Sequence, residues 1–235
     1  MALAAELGIA PPSVYRMVGS ELGDVRGLRI LDMPCASGRF AKWLAGRGAD
    51  CVAIDLVKPP HYSRALRADM NQPLPFRNNT FDRVLCLEGI EHSQNPFQLA
   101  REAYRVLRPG GVLVLSTPNI HNLRSRIKFF LRGTLYWFDP REVTGVGHIS
   151  VMPLFILRHL LEEAGFMDQR VETIGRVRPG LPQWVARIVQ LVGALHMPRY
   201  DELNSPSVLN GEGFVVFARK AVDPPPRAMC HGVAA

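Results

Sequence analysis

The sequence predicts an α/β protein built on a doubly wound, mostly parallel sheet, and three observations carry that expectation. Short apolar runs recur at residues 28–33, 51–55, 81–87 and 112–117. Each holds consecutive apolar residues rather than an alternation, which marks strands buried on both faces. Segments with helical spacing, 39–48 and 96–107, lie between some of them, so strand and helix succeed each other as in crossover units.

Taken in order, "LRILDM" (28–33) is the first strand. Beyond Gly38, the segment 39–48 places Phe40, Trp43 and Leu44 at helical spacing and stops at Gly46 and Gly48. "CVAID" and "FDRVLCL" are the next two clear strands. The helix over 96–107 opens on Pro96, sets Leu99, Ala103, Val106 and Leu107 on one face and ends at "RPGG". "VLVLST" follows and Pro118 stops it. The second half is less regular: a basic amphipathic helix over 122–133, a helix over 152–166 closed by Gly165, and a helix over 181–195. The last carries Trp184, Val185, Ile188, Leu191, Val192 and Leu195 on one stripe, and "GFVVFARK" (213–220) is the closing strand. Residues 1–222 are expected to form one domain. The proline-rich tail, 223–235, is expected to be disordered.

The 235 residues carry a net charge of +7, from 28 Lys and Arg against 21 Asp and Glu. That balance suits anionic partners such as nucleic acid, lipid headgroups or phosphorylated compounds, and equally suits a merely basic surface. Cys35, Cys51, Cys86 and Cys230 show no C-x-x-C spacing, so no disulfide and a reducing compartment are expected. The N-terminus lacks a basic region and carries Glu6, a poor signal peptide; no run is long enough to span a bilayer. The expected location is cytoplasmic, with peripheral contact at the inner membrane face as an option.

The loop Asp32-Met33-Pro34-Cys35-Ala36-Ser37-Gly38 lacks the G-x-G-x-x-G pattern. It offers an acid at the strand end, two small residues and one glycine. A carboxylate repels phosphate but accepts hydrogen bonds from an ammonium, which favours S-adenosylmethionine over a dinucleotide; a plain structural turn is the alternative. Asp55, ending the second strand, can accept both ribose hydroxyls or cap its strand. Asp69 can accept an adenine amine, with Met70 against the ring, or form an Asx-turn. Leu56 and Leu87, at strand ends, complete the expected cofactor set.

The ordered series "RILDMPCASG", "CVAID", "ADMNQPLPF", "FDRVLCLEGIEH" and "EAYRVLRPGGVLVLSTPN" resembles the class I S-adenosylmethionine-dependent methyltransferases. It is most similar to the small-molecule group that includes the ubiquinone-pathway O-methyltransferases, over about residues 20–170 plus "FVVFAR". The resemblance implies a Rossmann-like seven-stranded sheet with an antiparallel last strand. It also implies that the loop from Asp32 to Gly38 holds the methionine part, Asp55 the ribose, and Asp69 with Met70 the adenine. Pro34 and Ala36 stand where that family usually has glycine. Both are compatible with binding if φ stays negative.

Methyl transfer needs an acceptor atom held near the sulfonium methyl, and a base when the acceptor is a hydroxyl. Glu88, Glu91, His92, His121 and His148 are candidates; Glu91, His92 and His148 form the expected catalytic set, and His121 reads as a surface loop residue. The E-x-x-E-H spacing of Glu88, Glu91 and His92, with His148 as a fourth ligand, suits Mg²⁺, Mn²⁺ or Zn²⁺. The same spacing resembles small-RNA 2′-O-methyltransferases; helix capping and packing over the cofactor is its other reading. Helical insertions near 120–150 and 178–200 are expected to form a lid over the acceptor pocket, with a membrane-facing role as the second reading. "RGTLYWFDP" (132–140) lines that pocket or forms core. The leading expectation is methyl transfer to a hydroxyl of a glycan, lipid-linked or quinone-like acceptor. RNA 2′-O-methylation and an inactive binding subunit are the alternatives.

Overall fold

The computed structural model describes residues 12–176, 182–196 and 202–222. The expected disordered tail and Cys230 lie outside them. In chain order the elements are α1 (Pro12–Glu21), β1 (Arg29–Asp32), α2 (Arg39–Gly46), β2 (Asp50–Asp55), β3 (Ala65–Arg67), β4 (Phe81–Leu87), a 3-10 turn (Ile90–His92) and α3 (Pro96–Val106). They continue with β5 (Leu107–Pro118), α4 (Leu123–Arg132), α5 (Pro140–Gly145), α6 (Leu154–Glu163), β6 (Phe166–Ile174), α7 (Gln183–His196), α8 (Pro206–Asn210) and β7 (Gly213–Lys220).

The seven strands run β3-β2-β1-β4-β5-β7-β6. Strands β1 to β5 pair in parallel, and β7 is antiparallel to both β5 and β6. The sheet is the Rossmann-like one the sequence predicts. One face is packed by α1 and α2 through Val14, Val18, Phe40 and Leu44. The other is packed by α3 and α6 through Leu99, Ala103, Leu157 and Leu161. Each of these side chains is almost wholly buried. The order reverses at β1 and β4, and there the carboxyl ends of the strands open a crevice for a ligand.

Local chemistry explains most element ends. The Asn95 side chain accepts the Gln98 N–H and Pro96 begins α3, a side-chain cap followed by proline at the first turn. The "RPGG" segment, expected as a turn, lies within β5 as an irregularity in its pairing with β4. Phe81 faces Leu107 and Arg83 faces Val112, so the glycines absorb the mismatch, with Gly110 at φ 76°. Lys220, buried at the end of β7, donates to the Tyr104 and Leu107 carbonyls and to Asn79 Oδ1, pinning the last strand to the α3–β5 corner.

Two elements carry sequence signals that the strand-and-helix pattern passes over. Helix α1 buries Val14 and Val18, and Leu22, just past its end, continues the spacing of four. Strand β6 lies at the sheet edge, mixes exposed Met167 with buried Ile174, and never forms a continuous apolar run. Of the cysteines, Cys51 and Cys86 sit in strands, whereas Cys35 sits in the loop after β1; all three are buried free thiols.

Candidate active site

The loop from Asp32 to Gly38 folds over the carboxyl end of the sheet and is held by its neighbours. The Cys35 N–H donates to the Ile54 carbonyl, and the Ala36 N–H donates to Asp55 Oδ2 at 2.8 Å. Ala36 adopts φ 47°, which corrects the expectation of negative φ at both substituted positions. The left-handed backbone that a glycine would supply is kept at Ala36, with the Asp55 bond holding it there. Pro34 follows a cis peptide bond. Its ring lies where a Cβ on Gly89 would sit, so the bulk added at Pro34 is matched by a missing side chain at Gly89. Gly89→Ala is therefore expected to displace the loop, lowering stability by about 1–3 kcal/mol and weakening cofactor binding together; thermal unfolding and ligand titration check both. Gly38, at φ 76°, faces the loop after β2: a Cβ there would lie 2.9 Å from Tyr62 Cβ and 3.2 Å from Pro59.

A cavity of about 430 Å³ opens beside this loop, a size suited to a nucleoside-bearing ligand. Of the expected cofactor residues, Pro34, Ala36, Asp55, Leu56, Met70 and Leu87 line it. Tyr15, Val57, Lys58 and Asn71 line it too and were missed from the sequence, because none belongs to a recognisable motif. Asp32, Cys35, Gly38 and Asp69 do not line it. Asp69 Oδ1 accepts the Asn71 backbone and side-chain N–H groups, an Asx-turn that orients Asn71.

A second cavity of about 360 Å³ adjoins the first, and Glu88 and His92 line both. Trp137, Val146 and His148, from the 120–150 insertion, form its outer wall. The expected metal set assembles in part. Glu91, His92 and His148 offer ligand atoms within 4.8 Å of one another, and Glu88 is outside the group. Glu88 sits at φ 49°; its N–H donates to Ser116 Oγ, and that hydroxyl donates back to Glu88 Oε1 at 2.7 Å. Burial raises the Glu88 carboxyl to about 7.

The two imidazoles are oriented alike. His92 Nδ1 lies 3.0 Å from the Gly147 carbonyl and His148 Nδ1 lies 2.7 Å from the Trp137 carbonyl. Each carbonyl fixes the proton on Nδ1, which leaves Nε2 as the lone-pair nitrogen. Burial, then the neighbouring His148, lowers the His92 pKa. Glu91 is 0% exposed, and its carboxyl oxygens have no hydrogen-bond partner. Burial, reinforced by Glu88, raises its pKa well above the carboxylate range. Glu91 lines neither cavity.

Two further expectations are corrected. His121 is no surface loop residue: its Nε2 accepts the Leu154 N–H at the start of α6, and burial lowers its pKa to about 4. Helix α4 is not itself the lid. None of its residues lines either cavity, and Phe129, Phe130 and Leu131 are exposed, Phe130 by 87%. Among the described residues, α7 lines neither cavity as well. The wall of the second cavity comes from the segment after α4.

Asp32, at the end of β1, is buried and its Oδ2 has no partner. Burial, then repulsion from Asp55, raises its pKa from 3.8 to about 7. A carboxyl raised in the fold contributes most below its unfolded pKa and loses that contribution as pH climbs through 7. Asp32→Asn is thus expected to unfold at a higher temperature than wild type at pH ~8, by roughly 5–10 °C for a stabilisation of a few kcal/mol. The two should converge near pH ~4; thermal melts across that range check the sign.

A sheet in this order, with a nucleoside-sized cavity at its switch point and a second cavity sharing two residues with it, is the architecture of the class I methyltransferase fold. The chain belongs to the methyltransferase-domain family, whose model matches residues 13–171. It is 34% identical over 110 residues to the ubiquinone biosynthesis O-methyltransferase of Alkalilimnicola ehrlichii, covering 42% of this chain and 44% of that one. It is 33% identical over 105 residues to the protein of the same name from Dechloromonas aromatica, covering 40% and 45%. The match thus spans somewhat under half the length of these curated relatives. In fold it is similar to an S-adenosylmethionine-dependent methyltransferase from Archaeoglobus fulgidus, with TM-score 0.64, 20% identity and coverage of 88% and 93%. It is also similar to phosphoethanolamine N-methyltransferase 2 of Haemonchus contortus in complex with S-adenosyl-L-methionine, with TM-score 0.61, 18% identity and coverage of 93% and 55%.

Proposed function

We propose that this protein transfers the methyl group of S-adenosylmethionine to a hydroxyl of a small molecule, a glycan, lipid-linked or quinone-like compound. The observation that carries the reading is the shared wall of the two cavities, where Glu88 and His92 face both. A donor in the first cavity and an acceptor in the second would meet there. His92 Nε2 is the lone-pair nitrogen positioned to take the acceptor's proton as the carbon–oxygen bond forms. In the same in-line displacement the sulfonium–carbon bond breaks, its electron pair stays on sulfur, and S-adenosylhomocysteine is released. Calorimetric titration with S-adenosylhomocysteine tests the reading: saturable binding is expected, and a folded protein that gives no heat at several temperatures would overturn it.

The cluster of Glu91, His92 and His148 fits a divalent metal. It combines buried carboxyl oxygens that lack a partner with two imidazoles whose Nδ1 atoms are already engaged. A metal held by these three would occupy the His92 Nε2 lone pair, so the ion, by polarising the acceptor hydroxyl and lowering its pKa, would take the place of the imidazole as the activating group. The same cluster is the support for RNA 2′-O-methylation as a second reading, and salt-dependent RNA binding would favour it.

Peripheral membrane contact belongs to the same proposal. Helix α4 exposes Ile127, Phe129, Phe130 and Leu131, and α7 exposes Trp184, Ile188 and Leu191. Neither helix contains an acidic residue. In α4, Arg126 is tied to the His121 and Leu203 carbonyls and Lys128 to Asp139, while Arg124, stacked on Tyr136, and Arg132 are exposed. Such faces suit an anionic interface. Wild type is expected to float with vesicles of anionic lipid and not with neutral ones, and Phe130→Glu to stay in the soluble fraction.

A further inference from the structure

We infer that the second cavity selects an acceptor without negative charge, a hydroxyl-rich neutral or cationic small molecule, and that Glu142 and Glu212 are its specificity-determining side chains. The inference rests on the methyltransferase reading above and adds the chemical class of the acceptor.

The chain is basic, with a net charge of +7, yet among the described residues the cavity is lined by Glu88, Glu142 and Glu212 and by no Lys or Arg. The Glu88 carboxyl is bound to Ser116, but those of Glu142 and Glu212 have no hydrogen-bond or ion-pair partner among the described residues. Two cations of α4 are committed elsewhere: Arg126 to backbone carbonyls and Asn204, and Lys128 to Asp139 and the Leu135 carbonyl. An anionic acceptor would meet uncompensated like charge in a partly enclosed space, where the effective dielectric is below that of water.

The remaining lining says what the cavity favours. His148, 8% exposed, presents Nε2 as an acceptor, because Nδ1 is engaged by the Trp137 carbonyl. Two free carboxylates and this nitrogen accept hydrogen bonds and donate none, so they match a partner rich in O–H or N–H groups. Trp137, held at φ 70°, adds an aromatic surface for the carbon face of a ring or for a cation. A phosphodiester substrate fits this lining poorly, which separates the inference from the RNA reading.

The test is a charge series on one scaffold: catechol, its ring-carboxylated derivative and its ring-aminomethyl derivative, each offered with tritium-labelled S-adenosylmethionine and Mg²⁺. S-adenosylhomocysteine is titrated into the same preparation, so a failed cofactor site is distinguished from a failed acceptor inference. The carboxylated probe is expected to have a kcat/KM at least about tenfold below catechol's, with the aminomethyl probe equal to or above it. In the Glu142→Gln/Glu212→Gln double variant that gap should shrink to within about threefold. In Glu163→Gln, a change at an exposed glutamate outside the cavity, the ratio should stay at the wild-type value. Equal or better use of the carboxylated probe by wild type, an unchanged gap in the double variant, or no transfer to any probe by protein that binds S-adenosylhomocysteine would overturn the inference.

Discussion

Asp55→Ala is expected to weaken S-adenosylhomocysteine binding by at least about a hundredfold, read by calorimetry. Two losses combine. The carboxylate at the end of β2 lines the first cavity, where it can accept both ribose hydroxyls in charge-assisted bonds. It also accepts the Ala36 N–H at 2.8 Å, the bond that holds a non-glycine residue at φ 47°. Without it the loop relaxes toward ordinary backbone angles and the cavity wall moves. Asp55→Asn separates the two effects, since an amide oxygen can keep the Ala36 bond while the charge is lost. That variant should retain near-wild-type thermal stability and bind with intermediate affinity. If Asp55→Asn melts as low as Asp55→Ala, the loop needs the charge rather than the acceptor geometry. Stability at high pH responds in the opposite sense, because removing Asp55 also removes the repulsion that raises the Asp32 pKa.

The core sheet was legible in the sequence because buried parallel strands leave an unmistakable pattern. Residues 81–87 and 213–220 match β4 and β7 residue for residue, and the helix beginning at Pro96 starts where its proline and Asn95 cap place it. Edge strand β6 lacked that pattern because one side of it meets no other strand. The cofactor loop was legible as a position but not as a conformation. Its substitutions make sense only once Gly89, 55 residues beyond Pro34, is seen against the Pro34 ring. Spacing brought Glu88, Glu91 and His92 together as one motif, but a 3-10 turn over Ile90–His92 sends Glu91 inward while His92 faces the cavities. The contribution of Glu142 and Glu212 was invisible for a different reason. Lone glutamates on a short helix and before a strand carry no signal until the fold sets them around one opening.

The cluster behind His92 calls for a separation of roles, and Glu91 provides it. His92→Ala is expected to lower kcat by roughly a hundredfold to ten-thousandfold, with S-adenosylhomocysteine affinity changed little. The imidazole faces the junction of the cavities but adds only one edge to the first. Glu91 reaches neither cavity, so Glu91→Gln can alter turnover only through the neighbouring imidazoles or through a shared ion. If the three side chains hold a divalent metal, Glu91→Gln shifts the curve of initial rate against Mn²⁺ concentration to the right by about ten- to a hundredfold. Saturating Mn²⁺ should then recover most of the rate. His92→Ala should not be recovered in the same way, because it deletes a ligand nitrogen outright, whereas Glu91→Gln keeps an oxygen in place. A Glu91→Gln rate that matches wild type at every metal concentration would sink the metal reading and leave His92 acting as a base alone. A uniform loss that no metal concentration relieves would assign Glu91 to packing, since burying an amide among apolar neighbours disturbs the turn that aims His92.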